Sequence, residues 1–374
     1  MSDEEIHRGL ADVTVTETRL SDIDGEVGQL WIAGYPVADL AANASYPETV
    51  YLLLHDRLPD AKELQSFEDR LCSYRTLPEP CHDAVVAAAQ RGAGPMAALR
   101  MGAATATAVE PNDPEADALR LIARLPTITA TYWRVLQGQE PLEPRLDLGH
   151  AANYLYMLTG EEPSDAQVAG LETYLSTVVD HGLNASTFTA RTIVSTESEL
   201  VSAITGAIGA LRGDLHGGAP DLVLEMLESL EESEDVRGEL GARLEAGERL
   251  MGFGHRVYGA RDPRAAVLED AAAAFYEGED DFFAAAKAIE DVATDLLAEH
   301  RPDLDLETNV EFYTAVLLHG VGIPPELFTP TFAISRVAGW SAHCLEQLED
   351  NRLIRPRSEF VGEHDRGWVP LDER

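Results

Sequence analysis

The spacing of hydrophobic residues predicts a chain built mainly of helices. From Val37 onward, apolar residues recur at the period of an amphipathic helix. Pro and Gly residues interrupt this pattern often enough to predict roughly a dozen and a half helices. Strands and helices do not alternate, which argues against a doubly wound or barrel α/β fold. The long periodic stretches cover residues 61–74, 81–90, 95–108 and 114–136.

The N-terminal region is the one part of the sequence with β character. Residues 13–18 alternate and are β-branched, residues 22–26 carry turn-forming Asp and Gly, and residues 28–32 are again apolar. We therefore predict a short hairpin with strands at residues 13–18 and 28–32. Ser45 with Glu48 forms a capping-box pattern that predicts the start of a helix.

Residues 203–211 are small and apolar, with glycines that let another backbone approach closely. This pattern predicts either a tightly packed core helix or a helix at a subunit interface, and both readings stay open. Residues 228–241 are polar and acidic, which is typical of a surface elaboration.

The charge balance is strongly acidic. Sixty-six acidic residues face 28 basic ones, so the formal net charge is −38, and only Lys62 and Lys287 are lysines. The acids are spread along a chain that is 45% hydrophobic, which fits a folded protein with an acidic surface. Such a charge repels itself at low salt and is screened by ions, so we expect a halophilic protein in a salt-rich cytoplasm. The absence of a basic stripe argues against nucleic-acid binding.

Other sequence signals bound the protein class. The chain of 374 residues is long enough for two domains. Its three cysteines, Cys72, Cys81 and Cys344, contain no CxxC pair, so neither a disulfide framework nor a zinc site is expected. The first residues are acidic and unlike a secretory signal, and no apolar run reaches the ~18 residues of a membrane span. We expect a soluble, cytoplasmic protein.

Three histidines sit beside glycines or within a polar cluster: His181, His216 and His255. Glycine removes side-chain bulk and permits unusual backbone angles, so a histidine there can meet a ligand. One such histidine is more often an ordinary loop residue, whereas three, with arginines following the third, predict a catalytic pocket. The remaining histidines are interpreted as ordinary surface or core residues: His7, His55, His82, His150, His300, His319, His343 and His364.

Five motifs in one order resemble the motif set of the citrate synthase family, which includes 2-methylcitrate synthase. They are HGLNAST at 181–187, LHGGA at 215–219, the segment 252–265, NVEFY at 309–313 and EDNRLIRPR at 349–357. Each motif is weak alone, and the ordered set is specific. The resemblance runs from about Gly9 to about Gly362, nearly the whole chain.

The resemblance implies a mainly α, two-domain fold. The large domain would cover residues 1–217 and 323–374, with the dimer interface and the ketoacid site. The small domain, residues 218–322, would carry CoA binding and catalytic residues and would close on the large domain when ligand binds. A homodimer, a tricarboxylic acid cycle enzyme, no tightly bound cofactor, no metal, and acetyl-CoA or propionyl-CoA as co-substrate are implied.

The implied reaction explains the residue types. Taking a proton from a thioester's α-carbon requires a carboxylate and a preorganised donor to the developing enolate oxygen. By resemblance Glu311 is the base, His216 donates to the thioester oxygen and His255 polarises the ketone. His181 helps to hold the ketoacid.

Arginines hold carboxylates in bidentate geometry. Arg264, Arg336 and Arg355 match the family's carboxylate-binding arginines, and Arg355 would come from the partner subunit. The loop of Gly252, Phe253 and Gly254 would meet CoA, with Arg256 and Arg261 as nearby cations.

Three positions depart from the family pattern. Glu311 stands where the family has aspartate, and the extra methylene displaces the carboxylate by ~1 Å, a misplacement that can cost on the order of 100-fold in rate. Gly259 stands where relatives often carry a cation near the CoA phosphates. Val178 replaces a histidine that has no principal catalytic role.

Four functions remain open on the sequence. The leading one is citrate formation from acetyl-CoA and oxaloacetate. Propionyl-CoA, giving 2-methylcitrate, differs by one methylene, worth only ~1–3 kcal/mol in an apolar pocket. Glu311 also motivates a slow or degenerate paralogue that binds CoA or ketoacid. A metal-dependent hydrolase lacks any HExxH-like spacing.

Overall fold

The described residues form helices and one small antiparallel sheet near the N-terminus. This computed structural model describes residues 6–10, 13–217, 220–231, 233–255, 257–276, 282–304 and 306–374. The first ten helices are α1 (Val37–Asn43), α2 (Tyr46–His55), α3 (Ala61–Ser73), α4 (Glu79–Gln90), α5 (Pro95–Thr105), α6 (Pro114–Leu136), α7 (His150–Thr159), α8 (Asp165–Thr177), α9 (Ala185–Val194) and α10 (Leu200–Leu211). The others are α11 (Pro220–Glu231), α12 (Val236–Glu245), α13 (Pro263–Phe275), α14 (Phe282–His300), α15 (Val310–Val321) and α16 (Phe328–Glu349), with 3₁₀ turns at Arg8–Leu10, Pro325–Leu327 and Leu371–Glu373. The prediction of a mainly α chain is confirmed.

The sheet has strands β1 (Ser21–Asp24), β2 (Gln29–Ile32) and β3 (Tyr35–Pro36), paired antiparallel in that order. The predicted strand at 13–18 is wrong, because those residues have no regular structure. The turn lies at residues 25–28, where Gly28 adopts φ +67°. A left-handed residue suits glycine, so the hairpin turns there and the predicted turn residues enter β1.

Helix boundaries follow local capping chemistry. The predicted capping box at Ser45 and Glu48 is present and begins α2. The helices α3 to α6 begin and end within a few residues of the predicted stretches. Pro at the first or second position of α4, α5 and α6 sets their starts, because its missing N–H has no helical partner there.

Two long helices form the centre of the core. Helices α6 and α16 are buried along most of their length, and they pack against one another. A helix that is buried on all sides must lie inside a large core. Helix α16 also contacts α8 and α9, which flank the segment containing His181.

The small-residue segment lies in α10, which packs against α9. A methyl group at Gly206 would overlap the Ile193 side chain, so glycine permits this close contact. The predicted close packing is confirmed, and a role at a subunit interface stays a prediction.

Helices α11 to α15 pack as a group, with α13 and α15 also resting on α8. This group falls in the predicted small domain, whose division from the rest stays a prediction. Within the described ranges, no helix combines the length and apolar character needed to cross a membrane.

Candidate active site

Two loops from distant parts of the chain bring His181 and His255 together. His181 follows α8, and His255 lies between α12 and α13. The two rings are 5.6 Å apart between centroids, at a steep angle. Tyr258 joins them: its hydroxyl lies 3.0 Å from Nε2 of His181, and its ring is 4.8 Å from that of His255. The predicted ketoacid-side histidines therefore share one site.

The loop that follows His255 fixes the tautomer of its ring. Its Nδ1 accepts the backbone N–H groups of Val257 and Tyr258, at 3.0 and 3.2 Å. A backbone N–H only donates, so the ring proton lies on Nε2. Burial, with the charge of Arg264, lowers the pKa of His255 to about 4. His255 is thus neutral near pH 7 and has one N–H to offer.

His216 is fixed in the opposite tautomer. Its Nε2 lies 3.1 Å from the backbone N of Ser186, which can only donate, so the proton lies on Nδ1. The Ser186 hydroxyl is 2.7 Å from the same nitrogen and accepts from Trp340 Nε1 at 3.0 Å. Burial, with the charge of Arg336, lowers the pKa of His216 to about 4. This histidine is also a neutral donor.

Arg264 is buried with its own counter-ion. Asp262 caps α13 and accepts Nε and Nη2 of Arg264 at 3.0 and 2.7 Å. Burial opposes the charge of Arg264, but Asp262 outweighs it and the pKa of the guanidinium is raised. The carboxylate of Glu311 also acts on Arg264.

Arg336 is buried without such a bidentate partner. Its Nε donates to the carbonyl oxygen of Val178 at 2.8 Å, and its guanidinium lies 4.5 Å from the centre of the Phe332 ring. Among the described residues, its Nη2 has no hydrogen-bond partner. Burial lowers the pKa of Arg336 to about 10, against the opposing charge of Asp180. A buried guanidinium with an unused donor is suited to bind an incoming carboxylate.

Helix α16 fixes the segment next to His181 over successive turns. His343 lies two turns beyond Arg336, and its Nε2 is 3.2 Å from Asp180. Its Nδ1 accepts from Arg191, so the Nε2 proton points to Asp180. Between them, a methyl group at Gly339 would lie 2.7 Å from Asp180, so glycine lets this segment rest on the helix.

Glu311 lies in the first turn of α15, where the helix dipole favours negative charge. Asn309 caps this helix through Oδ1, which accepts the N–H of Glu311 at 2.9 Å. Its Nδ2 donates to the carbonyl oxygen of Gly254 at 3.0 Å. Asn309 thus ties the predicted base to the predicted CoA loop.

The predicted CoA loop is held in place by backbone contacts. Gly252 and Gly254 have φ of +88° and +79°, and Phe253 pairs with Thr308 in an antiparallel bridge. The Phe253 ring lies 5.5 Å from that of Phe312, in the helix of Glu311.

The two cations predicted near the CoA loop are Arg261 and Arg256. Arg261 is paired with Glu269 at 2.6 Å and Glu290 at 3.0 Å, so its charge is already shared. Arg256 lies outside the described residues. Gly259 has open space where a side chain would begin.

Arg355 differs from the other two predicted arginines in its exposure. It is exposed in a segment without regular secondary structure after α16, whereas Arg264 and Arg336 are buried. The start of the segment is attached to the end of α9, where Ser195 accepts the N–H of Ile354 at 3.1 Å.

Several residues that shape the site had no predicted role. Tyr258, Ser186 and Asn309 lie inside the recognised motifs, so their position was a usable signal. Trp340 and His343 follow Arg336 at helical spacing, and periodicity along α16 was the available signal. The interpretation of His343 as an ordinary histidine misses its contact with Asp180.

Comparison with known proteins identifies the family of this chain. A family model described as "Citrate synthase, C-terminal domain" matches residues 9–357. The citrate synthase of Haloferax volcanii is 43% identical, over 99% of this chain and 99% of its own. The chain belongs to the citrate synthase family. It is an enzyme of the citrate synthase type, a transferase.

The family includes more than one named activity. The 2-methylcitrate synthase of Shewanella oneidensis is 35% identical, over 98% of this chain and 97% of its own. A solved ternary complex of carboxymethyl coenzyme A and oxaloacetate with the citrate synthase of Thermoplasma acidophilum superposes with a TM-score of 0.90. It is 30% identical and covers 99% of this chain and 100% of its own. In the part of the chain that the structure describes, no group of three His, Cys, Asp or Glu residues is arranged to hold a metal ion.

Proposed function

We propose that the protein condenses acetyl-CoA with oxaloacetate and water to give citrate and CoA. Glu311 removes a proton from the acetyl methyl group while Nδ1–H of His216 donates to the thioester oxygen. The enol carbon then attacks the ketone carbon of oxaloacetate, whose oxygen accepts from Nε2–H of His255. Water finally attacks the thioester carbonyl of the citryl thioester, and the CoA thiol leaves.

The observation that carries this proposal is the opposite tautomers of the two neutral histidines. Backbone N–H groups occupy Nε2 of His216 and Nδ1 of His255, which leaves each ring one proton to donate. A neutral donor stabilises a developing oxyanion without first surrendering its proton. His181, Arg264 and Arg336 would hold the ketoacid between them.

We place the CoA-binding segment at Gly252, Phe253 and Gly254, with Arg256 and Arg261 beside it. Because Arg261 is already paired with two glutamates, we propose that the backbone of this loop makes the larger contribution to CoA binding. No tightly bound cofactor is needed, since CoA enters as part of the thioester substrate.

One assay separates the two substrates. Thiol release is followed in molar KCl with acetyl-CoA or propionyl-CoA, with and without oxaloacetate. Release that depends on oxaloacetate, with a higher kcat/KM for acetyl-CoA, supports citrate synthesis. A higher kcat/KM for propionyl-CoA identifies a 2-methylcitrate synthase, the function of the Shewanella relative. No release with either thioester refutes both and leaves a binding-only paralogue.

We further propose a homodimer in which Arg355 enters the partner's site. Its exposure in a segment without regular secondary structure supports this reading. Chains carrying Arg355→Ala or His255→Ala should each be inactive alone. Mixed after denaturation and refolding, they should recover roughly a quarter of parental activity, because half of the dimers would hold one intact site of two. Absence of recovery would place Arg355 in its own chain's site or in none.

The large domain would comprise residues 1–217 and 323–374, and the small domain residues 218–322. Closure of the small domain on the large would exclude water from the enolate. Oxaloacetate should then reduce the small-angle scattering radius slightly. An unchanged radius at saturation would contradict closure.

We propose that the protein works in a salt-rich cytoplasm, because a net charge of −38 must be screened. The melting temperature should rise from dilute buffer to molar KCl. A flat profile would contradict the halophilic assignment.

A further inference from the structure

Strand β1 contacts the residues on both sides of His181, the side chain of Asp180 and the backbone N–H of Gly182. The Ser21 hydroxyl donates to Asp180 Oδ2 at 2.6 Å and accepts the N–H of Gly182 at 2.9 Å. The Ile23 side chain also reaches Gly182. Strand β1 therefore helps to fix the position of His181, together with helix α16.

The turn that follows β1 contacts the loop of His255. The carbonyl oxygen of Gly25 accepts the N–H of Gly259 at 3.0 Å. A methyl group at Gly25 would overlap the carbonyl oxygen of Val257. A methyl at Gly28 would lie 2.8 Å from the carbonyl oxygen of Arg261. Only glycine lets two backbones approach this closely.

The contact between the turn and residues 257–261 lies close to His255 along the chain. Val257 and Tyr258 donate the N–H groups that hold Nδ1 of His255, so a shift of the turn moves those donors. The sheet itself is anchored: Leu30 and Ile32 are buried, and the N–H of Arg19 donates to Glu346 of α16 at 2.9 Å.

We propose that the N-terminal sheet is a positioning element that sets the spacing between His181 and His255, acting through Ser21, Gly25 and Gly28. The inference rests on the proposed function, since both histidines serve there to hold and polarise the ketoacid. None of the three residues touches the reacting atoms. A misplacement of ~1 Å at a reacting centre can cost on the order of 100-fold in rate, so a small shift of the sheet is sufficient.

The sheet offers a matched pair of glycines for the test. Gly28 and Gly34 have φ of +67° and +83°, so alanine is strained at both. Gly34 has nothing within 4 Å of an added methyl group, whereas Gly28 faces Arg261. Gly28→Ala and Gly34→Ala therefore share the backbone strain and differ in the contact with the loop of His255.

Kinetics, melting temperature and hydrogen exchange are measured on the full-length protein in molar KCl. Both alanine variants should melt below the parent. Gly28→Ala should lose ~10- to 100-fold in kcat/KM for oxaloacetate, while Gly34→Ala stays near parental. Exchange across residues 257–261 should accelerate in Gly28→Ala alone.

Ser21 tests the other loop. Ser21→Ala should raise the KM for oxaloacetate more than the KM for the thioester, and Ser21→Thr, which keeps the hydroxyl, should restore it. Failure of threonine to restore the KM, at an equal melting temperature, counts against the positioning role.

The outcomes separate the two hypotheses. If the parent is active and the two glycine variants have equal kinetics and equal exchange, the positioning role is overturned and the proposed function stands. If the parent releases no thiol, the proposed function fails. Exchange at residues 257–261 then decides the inference: faster in Gly28→Ala alone supports it, and equal in both variants overturns it.

Discussion

The two sides of the candidate site contain the same residue types and connect them differently. On the α13 side, Asp262 pairs with Arg264 in bidentate geometry. On the α16 side, Asp180 contacts His343 and Ser21, while Nη2 of Arg336 has no described partner. Arg264 is compensated by its own counter-ion, whereas Arg336 keeps an unused buried donor, which we propose binds the substrate's carboxylate.

The pKa directions agree with this difference. Burial opposes the charge of both arginines, yet the pKa of Arg264 is raised and that of Arg336 is lowered to about 10. The α13 side should therefore contribute structure as well as binding. The α16 side should contribute binding at a cost in stability.

Replacing each arginine with methionine tests that contrast and should give the largest effect. Arg264→Met leaves Asp262 buried and unpaired, which should lower the free energy of unfolding by ~3–5 kcal/mol. Arg336→Met removes a buried charge without orphaning a bidentate partner, so the unfolding free energy should change little. Denaturant unfolding in molar KCl measures both.

The variant with little change in stability, Arg336→Met, should still have a large loss of oxaloacetate binding. Arg336→Met should lower kcat/KM for oxaloacetate by ~100-fold or more, since a desolvated charge pair with substrate is lost. If Arg336→Met proves the less stable of the two variants, the contrast between the two sides is wrong.

Glu311 is the next largest test. Glu311→Gln should lower turnover by ~100-fold or more, as expected for loss of a general base. Oxaloacetate affinity, measured by calorimetry, should barely change. Glu326→Gln, an exposed change in the 3₁₀ turn that follows the far end of α15, serves as the control.

Glu311→Asp then asks whether the backbone suits glutamate. Slower turnover in the aspartate variant means that the site is set for the longer side chain. Faster turnover means a drifted paralogue. A Glu311→Gln variant with the parental rate would remove Glu311 as the base.

Acid should destabilise the protein in two steps, a smaller effect. His216 and His255 have folded pKa values near 4, so the unfolded chain binds more protons below its own histidine pKa of ~6.5. The stability that these two histidines contribute is fully present above pH ~6.5 and is lost as the pH falls toward 4. Asp180 and Asp262, whose pKa values are lowered, add a second loss as pH falls below ~3.8.

Melting temperatures at ~pH 7.5, ~6 and ~5 in constant molar salt measure the first step. His255→Asn should flatten the decline, whereas His82→Asn, at an exposed position, should not. A parental profile that is level down to ~pH 5 would contradict buried neutral histidines.

Local signals predicted the helices well and the sheet less well. The capping box at Ser45 marks a helix start that depends only on neighbouring residues. The hairpin position depends on the backbone of Gly28, which in turn fits against the distant residue Arg261. Alternation over residues 13–18 contains no information about that contact.

The candidate site likewise has features that local sequence predicts and features that only the fold reveals. Motif order brought His181, His255 and Arg264 to attention because glycines and a helix cap accompany them. The pairing of Asp180 with His343 joins residues 163 positions apart, and the unused donor of Arg336 is visible only in three dimensions. Tautomers likewise depend on which backbone N–H faces each ring.

The most direct test of the central claim is the protonation state of His216 and His255. Long-range ¹⁵N–¹H NMR of histidine-labelled protein, assigned with His216→Asn and His255→Asn, reads each ring. We predict neutral rings between ~pH 6 and ~8, protonated on Nδ1 in His216 and on Nε2 in His255. Titration of either ring near pH ~6.5, or the reverse tautomer in either, would contradict the account.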